Sequence, residues 1–268
     1  MKISVAFTVF GVSCLLAGCV VDVTEQNTER WAYAGATGVL RANFDATIYH
    51  QAFSVQGSAK DSLIADGIFS LWAPGSSTAS SIAQNVNMYW SVDTFHTAQL
   101  YAYAEGADQE LLSIDRMSVT IPQQVNLSVN ASSSDVSIQG MGGDINVTGT
   151  SSNITFNTGG RITLQTQSGN ISGTSGLGGS ALSTSGNITI TVPRNFESVS
   201  VTDSTGNVSL HIGGGVGVTF QLATGHGNIS LNYDGVTMNS LSAIRVTANG
   251  GGRVVNVATA TGNINVSN

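Results

Sequence analysis

Charge is scarce in this chain. Lys and Arg together number 9 and Asp and Glu 16 in 268 residues, or 9%, against a usual share of about 25%. The net charge of −7 gives no basic surface, which argues against nucleic acid as a partner and against electrostatic docking on anionic lipid. Lys is missing after residue 118, where Glu197 is the only Glu. Proline occurs three times and cysteine twice, as Cys14 and Cys19. The four histidines, His50, His96, His211 and His226, show neither HxH nor HxxxH spacing, so no metal site and no cofactor is expected. No run of 18 apolar residues follows Cys19, which excludes a membrane-spanning helix there. Heptads are absent as well.

What fills the space is Gly, Ser, Thr, Asn and Val, set out at a period. An Asx residue followed by a β-branched aliphatic recurs at Asp135-Val136, Asn153-Ile154, Asn170-Ile171, Asn187-Ile188, Asn207-Val208, Asn228-Ile229 and Asn263-Ile264. The steps are 18, 17, 17, 20, 21 and 35 residues, and the last divides as 17 plus 18 if Arg245-Val246 fills a missing place. Gly precedes Asn in SGN (168–170 and 185–187), TGN (205–207 and 261–263) and HGN (226–228). A fixed period near twenty with a Gly-Asn corner predicts an all-β fold, a β-solenoid of about 17–21 residues per coil. Gly supplies the positive φ of a tight corner, and Asn tolerates it with a side-chain hydrogen bond. Asn residues in register on successive coils are expected to bond to one another as a ladder.

Strand alternation then assigns the two faces. Ile171, Ile188 and Ile190, Val208 and Leu210, Ile229 and Leu231, and Ile264 and Val266 are expected inside. Ser172, Thr189, Ser209, Ser230 and Asn265 are expected outside. A second strand set places Ile145 and Val147, Ile162 and Leu164, Val199 and Val201, Val218 and Phe220, and Val254 and Val257 on a second wall. GTSGLGGSAL after Ser172 reads as the loosest coil, and Tyr233 to Leu241 as a bulging loop. The chain closes on TGNINVSN, so the last coil is expected to lie open at one end, where self-association through this C-terminal coil is one expectation.

Upstream the pattern changes. Residues 31–118 hold 12 of the 18 aromatics, and 11 of the 16 acids precede residue 118. Alternation in Val39 to Tyr49, Ile68 to Trp72, Val86 to Val92 and Gln99 to Tyr103 predicts strands. Pro74 to Ser77 reads as a turn and Ser80 to Asn85 as a helical turn. This region is expected to be a β-rich cap that closes the first end of the stack.

Met1-Lys2, an apolar stretch to Leu16 and the ending LAGC at 16–19 have the layout of a secretory signal, and the ending resembles the bacterial lipobox. That resemblance implies removal of residues 1–18 and acylation of Cys19, hence membrane attachment through N-terminal acyl chains. Residues 19–30 then form a tether, 31–118 the β-rich region and 119–268 the solenoid. Val20 rather than Asp after the cysteine implies, by the same resemblance, an envelope lipoprotein of the outer membrane if the source has one. Loss of Lys2 takes the net charge from −7 to −8.

MSVTIPQQVNLSVNASSSDVSIQGMGGDINV (117–147), echoed by NITITVPRNFESVSVTDSTGNVSL (187–210), resembles the adhesin-like β-solenoids of domain-of-unknown-function family 4097. The resemblance implies a fold and a surface habit, and no reaction. The residues agree on the second point. Asp135, Asp144, Glu197, Asp203 and Asp234 are scattered over different coils, as are Arg161, Arg194, Arg245 and Arg253, whereas polysaccharide-cleaving β-helices need clustered acids. Asp135 with Asp144, or Arg194 with Glu197 and Asp203, are the pairs that the chain brings nearest in sequence. No catalytic residue is expected. Outward Ser, Thr and Asn rows make glycans or a cell-surface polymer the expected partner, through adhesion or envelope structure; a polysaccharide-active enzyme is the alternative.

Overall fold

Short β-branched stretches parted by Gly-Asn corners fold as the period demands. The computed structural model describes residues 3–4, 8–9, 22–34, 39–45, 49–74, 86–104 and 112–268. Cys14, Cys19, the cleavage point, the helical turn at 80–85 and most of the turn after Pro74 lie outside the described residues. Among the described residues there are 25 strands and no helix. The fold is an all-β solenoid.

Five consecutive coils form the regular part. Each is a strand of one wall followed across a corner by a strand of the other: β10 (Asn126–Ala131) and β11 (Asp135–Met141), β12 (Ile145–Ser151) and β13 (Ile154–Thr158), β14 (Ile162–Ser168) and β15 (Ile171–Ser175), β16 (Gly178–Ser185) and β17 (Ile188–Val192), and β18 (Ser198–Thr205) and β19 (Val208–Ile212). Even-numbered strands pair in parallel on one wall and odd-numbered strands on the other. Inward residues stack like on like: Ile154, Ile171, Ile188 and Val208 are aligned partners and all buried. Each such side chain stabilises the stack by roughly 1.5–3 kcal/mol.

The coil expected to be loosest is regular. Gly173 stands in register with Phe156, and a Cβ there would fall 2.8 Å from the Phe156 ring and 2.0 Å from its carbonyl oxygen. The missing side chain makes room for the large ring of the previous coil.

The C-terminal end overturns four expectations. After β19 the chain makes β20 (Val218–His226) and β21 (Ile229–Tyr233), then the antiparallel strands β22 (Val236–Ser240) and β23 (Ala243–Ala248), then β24 (Arg253–Thr261) and β25 (Ile264–Ser267). The last coil is not last in space. β24 lies between β18 and β20, and β25 between β19 and β21, with parallel pairing on both sides. The C-terminal coil is therefore no open edge. Tyr233 to Leu241 forms a hairpin strand rather than a loop. Arg245-Val246 occupies no corner: β23 runs antiparallel to β20, and the 35-residue gap holds β22 and β23. On β24 the inward pair is Val255 and Val257, while Val254 is exposed.

The N-terminal end repeats this device in reverse. β4 (Arg41–Asp45) and β5 (Tyr49–Ser58) form a coil directly beside β10 and β11. The chain then leaves through β6 (Ser62–Pro74) and β7 (Val86–Val92) and returns as β8 (Thr97–Ala104) and β9 (Leu112–Pro122), stacked outside β4 and β5. β6 and β7 pair antiparallel with β9 and β8 and close that end. β3 (Asp22–Ala34) pairs outside β6, and β1 (Ile3–Ser4) and β2 (Thr8–Val9) pair antiparallel with β3. The region before residue 118 thus extends the solenoid by two coils and caps it. At both ends a coil is inserted beneath the outermost one, and an antiparallel strand covers each sheet edge.

Aromatic rings pack together at both ends. Phe44 lies 5.3 Å from Phe53 and 5.9 Å from Trp90 between ring centres. Phe220 and Tyr233 lie 5.3 Å apart at the other end, where the Tyr233 hydroxyl donates to the Val216 carbonyl at 3.1 Å. Asp234 ties the inserted coil down: its carboxylate accepts from Gly215 N, Asn249 Nδ2 and Asn268 Nδ2, each at 2.7 Å.

Candidate functional site: corners and outward faces

Seven Asx residues line one corner in the spatial order Asp135, Asn153, Asn170, Asn187, Asn207, Asn263, Asn228. Each side-chain oxygen accepts the backbone N–H of the next: 3.2, 2.9, 2.8, 3.1, 2.9 and 2.9 Å along the column. The side-chain amides of Asn153, Asn170, Asn187 and Asn207 donate to the same oxygens at 3.0–3.5 Å. Asn263 precedes Asn228 because its coil is the inserted one. Every one of these residues is exposed, so the ladder is structural scaffolding with one polar edge toward solvent. Sequence reading missed a shorter ladder at the opposite corner, where Asn126 Oδ1 accepts from Asp144 N and Asp144 Oδ1 from Arg161 N, at 2.9 and 2.8 Å. Its signal was Asn126, Asp144 and Arg161 at intervals of 18 and 17.

The acids do not converge. Asp135 and Asp144 belong to these two different corners. Glu197 pairs with Arg161 rather than Arg194, with both side chains about half exposed (49% and 53%), a setting in which an ion pair adds little stability. Asp203 is buried at 2% exposure. It points inward beside aligned Ser183 and Thr259, and among the described residues no group makes a well-formed hydrogen bond to its carboxylate oxygens. Burial pushes its pKa up, offset only in part by the nearby N–H groups of Thr205 and Ser204. Asp234 is spent on the hydrogen bonds described above. His211 lies on an outward row beside Ser267, and His226 is exposed at the end of β20. Among the described residues no three His, Cys, Asp or Glu side chains group to hold a metal ion.

The outward faces are more informative. On the odd-numbered wall one row runs Ser54, Ser137, Thr155, Ser172, Thr189, Ser209, Asn265, Ser230. On the even-numbered wall a row runs Asn43, Ser128, Asn146, Thr163, Ser180, Ser200, Asn256, Gln221 and ends on Arg245. That second row crosses nine strands, or eight spacings of about 4.8 Å and ~38 Å in all. Two depressions open on it: one of about 280 Å³ around Asn43, Ser128, Asn146 and Thr163, and one of about 350 Å³ around Ser200, Gln221, Asn256 and Arg245. Such a surface offers paired hydroxyl and amide donors and acceptors, and on these rows no carboxylate.

Several solved structures are similar over 90% of this chain, three of them as follows. A candidate adhesin from Parabacteroides distasonis is 13% identical, with 96% of that chain covered and a TM-score of 0.46. A candidate adhesin from Parabacteroides merdae is 12% identical, with 95% covered and a TM-score of 0.43. A candidate cell adhesion protein from Clostridium sporogenes is 10% identical, with 99% covered and a TM-score of 0.37. These likenesses are distant and carry no functional argument. No curated protein matches. The family model for Toastrack DUF4097 matches residues 120–267, the stretch that holds the corner ladder and the inserted coil. The chain belongs to the Toastrack DUF4097 family.

Proposed function

We propose that this protein is a lipid-anchored component of the cell envelope whose solenoid makes non-catalytic contacts with glycans or a cell-surface polymer. The observation that carries this reading is the polar, carboxylate-free row on the even-numbered wall, ~38 Å long and in register across nine strands. Extended solenoid faces of this kind suit extended ligands. Among the described residues of 119–268 the acids are dispersed over separate corners and the core, which does not favour acid–base cleavage of a glycosidic bond. Acylation at Cys19 supplies the anchor in this reading, since two or more acyl chains hold a protein on a membrane far longer than one.

The test has two parts. Cys19→Ser is expected to release the chain from membranes and to abolish acyl labelling. The solenoid of the released chain is expected to bind immobilised envelope polysaccharide saturably, and to lose binding when Asn146→Glu and Ser180→Glu place charge in the row. Retained membrane attachment in Cys19→Ser would remove the anchor. Absence of retention on every polymer, or retention unaffected by the row variants, would remove the contact role.

A further inference from the structure

We propose that the depression at the C-terminal end of this row is the charge-reading subsite for a uronate-containing oligosaccharide, with Arg245 holding the sugar carboxylate. This rests on the glycan-contact reading and names the ligand class of that same face. β23 places Arg245 directly opposite Gln221, which aligns with Asn256, which aligns with Ser200. A guanidinium, two side-chain amides and a hydroxyl therefore follow one another at about 4.8 Å intervals. The depression measures about 350 Å³, within the range of roughly 300–1,000 Å³ typical of small-molecule sites. Beside this polar row lies an aligned row of small apolar groups, Ala243, Ala223 and Ala258, continued by Thr202 and by Leu182, which is 41% exposed. A sugar ring has this same division: hydroxyls at its rim and C–H groups on its face.

The charge is the discriminating feature. The Arg245 side chain makes no ion pair or hydrogen bond with any of the described residues. No Asp or Glu lines the depression, although the chain as a whole is acidic at −7. Of the other cations beside the row, Arg161 pairs with Glu197 and Arg253 lies over the Phe196 ring at 5.7 Å, while Arg41 flanks Asn43 at the far end, in a depression that Asp144 also lines. A planar guanidinium with a fork of donors matches a carboxylate in two parallel hydrogen bonds, and a Lys ammonium does not reproduce that geometry. The row continuing past Ser200 to Ser180 and Thr163 gives neutral parts of the same polymer a place to lie.

β23 is also the outermost strand of its sheet, and a charged residue on such a strand discourages edge-to-edge pairing. That duty needs any charge; carboxylate reading needs this one. The experiment separates them. Oligomers of galacturonate, mannuronate and glucuronate, and the same oligomers methyl-esterified to neutrality, are titrated into the solenoid while backbone amide NMR shifts are followed. At least one uronate is expected to shift Gln221, Asn256 and Arg245, to bind at least tenfold tighter than its ester, and to weaken as salt is raised. Arg245→Glu and Arg245→Gln are expected to lose at least tenfold of that affinity, with Arg245→Lys intermediate. Arg245→Glu still guards the edge, and sedimentation is expected to show it monomeric. Unchanged uronate binding in Arg245→Glu would reduce Arg245 to an edge guard and overturn the proposal. Equal binding of uronate and ester on this row would overturn acidic selectivity and leave glycan contact standing. No shift on either outward face with any sugar would overturn both.

Discussion

Removal of residues 253–268 should do far more damage than loss of an end coil normally does. In a simple stack the last coil has one neighbour, and deleting it shortens the rod. Here β24 and β25 have neighbours on both sides. Val255, Val257, Ile264 and Val266 are each no more than 2% exposed. At roughly 1.5–3 kcal/mol apiece their burial accounts for roughly 6–12 kcal/mol, comparable with the 5–15 kcal/mol that holds a typical domain together. The truncated chain also leaves β20 and β21 with no strand beneath them. Its coils up to β19 should persist, because repeats draw stability from nearest neighbours, while residues 213–252 should lose protection from hydrogen exchange and be cut by protease at low concentration. Ile264→Ala is the milder probe, with an expected cost of about 2–5 kcal/mol in urea unfolding. Full protection of residues 213–252 in the truncated chain would refute the reasoning. It would mean that β20 and β21 can drop one place and stack directly on β18 and β19.

Three further outcomes are expected. Asn187→Ala removes the acceptor of Asn207 N and Nδ2 at 3.1 and 3.3 Å and should lower stability by about 1 kcal/mol, since net hydrogen-bond contributions are of that size; no change in the urea midpoint would count the ladder as ornament. Gly186→Ala meets φ +137° and puts a Cβ 2.1 Å from the Gly169 carbonyl oxygen, so it should cost about 1–3 kcal/mol from overlap beyond the backbone strain, seen as a lower melting temperature. Asp203→Asn should stabilise the protein at neutral pH. Because burial raises the Asp203 pKa from its ordinary 3.8, the folded state holds the proton more tightly than the unfolded one. The wild type therefore loses stability as pH rises from that value through the raised one, and the penalty is absent at lower pH. A wild type and variant with the same pH–stability profile would show that the carboxylate is not desolvated.

Much of the solenoid can be read directly from residue spacing. Asn153, Asn170, Asn187 and Asn207 recur because each sits at the same corner between the two strands of its coil, and Ile154, Ile171, Ile188 and Val208 follow because the next inward position is one residue on. These are local rules repeated, so local text carries them. The ends obey other rules. The Gly-Asn-Ile motif is the same at 227–229 and 262–264, and both coils bring compatible aliphatics to the slot above β18 and β19. What separates them is the chain that follows. Asp234, at a positive φ of 44°, turns β21 back into β22, and a strand with an antiparallel partner on its outer edge cannot accept another coil there. The coil of β20 and β21 must then be outermost, and β24 and β25 must go beneath it.

Arg245 shows the same limit: its spacing fits a corner, while the antiparallel return puts it opposite Gln221 on an open wall. By itself the sequence determined the all-β class, the coil length, the inward and outward faces and the corner ladder, because period and alternation act between near neighbours. Only the tertiary structure decided the order of the terminal coils, the capping of both ends and the meeting of Arg245 with Gln221, Asn256 and Ser200, because these depend on which chemically similar strand fills which place.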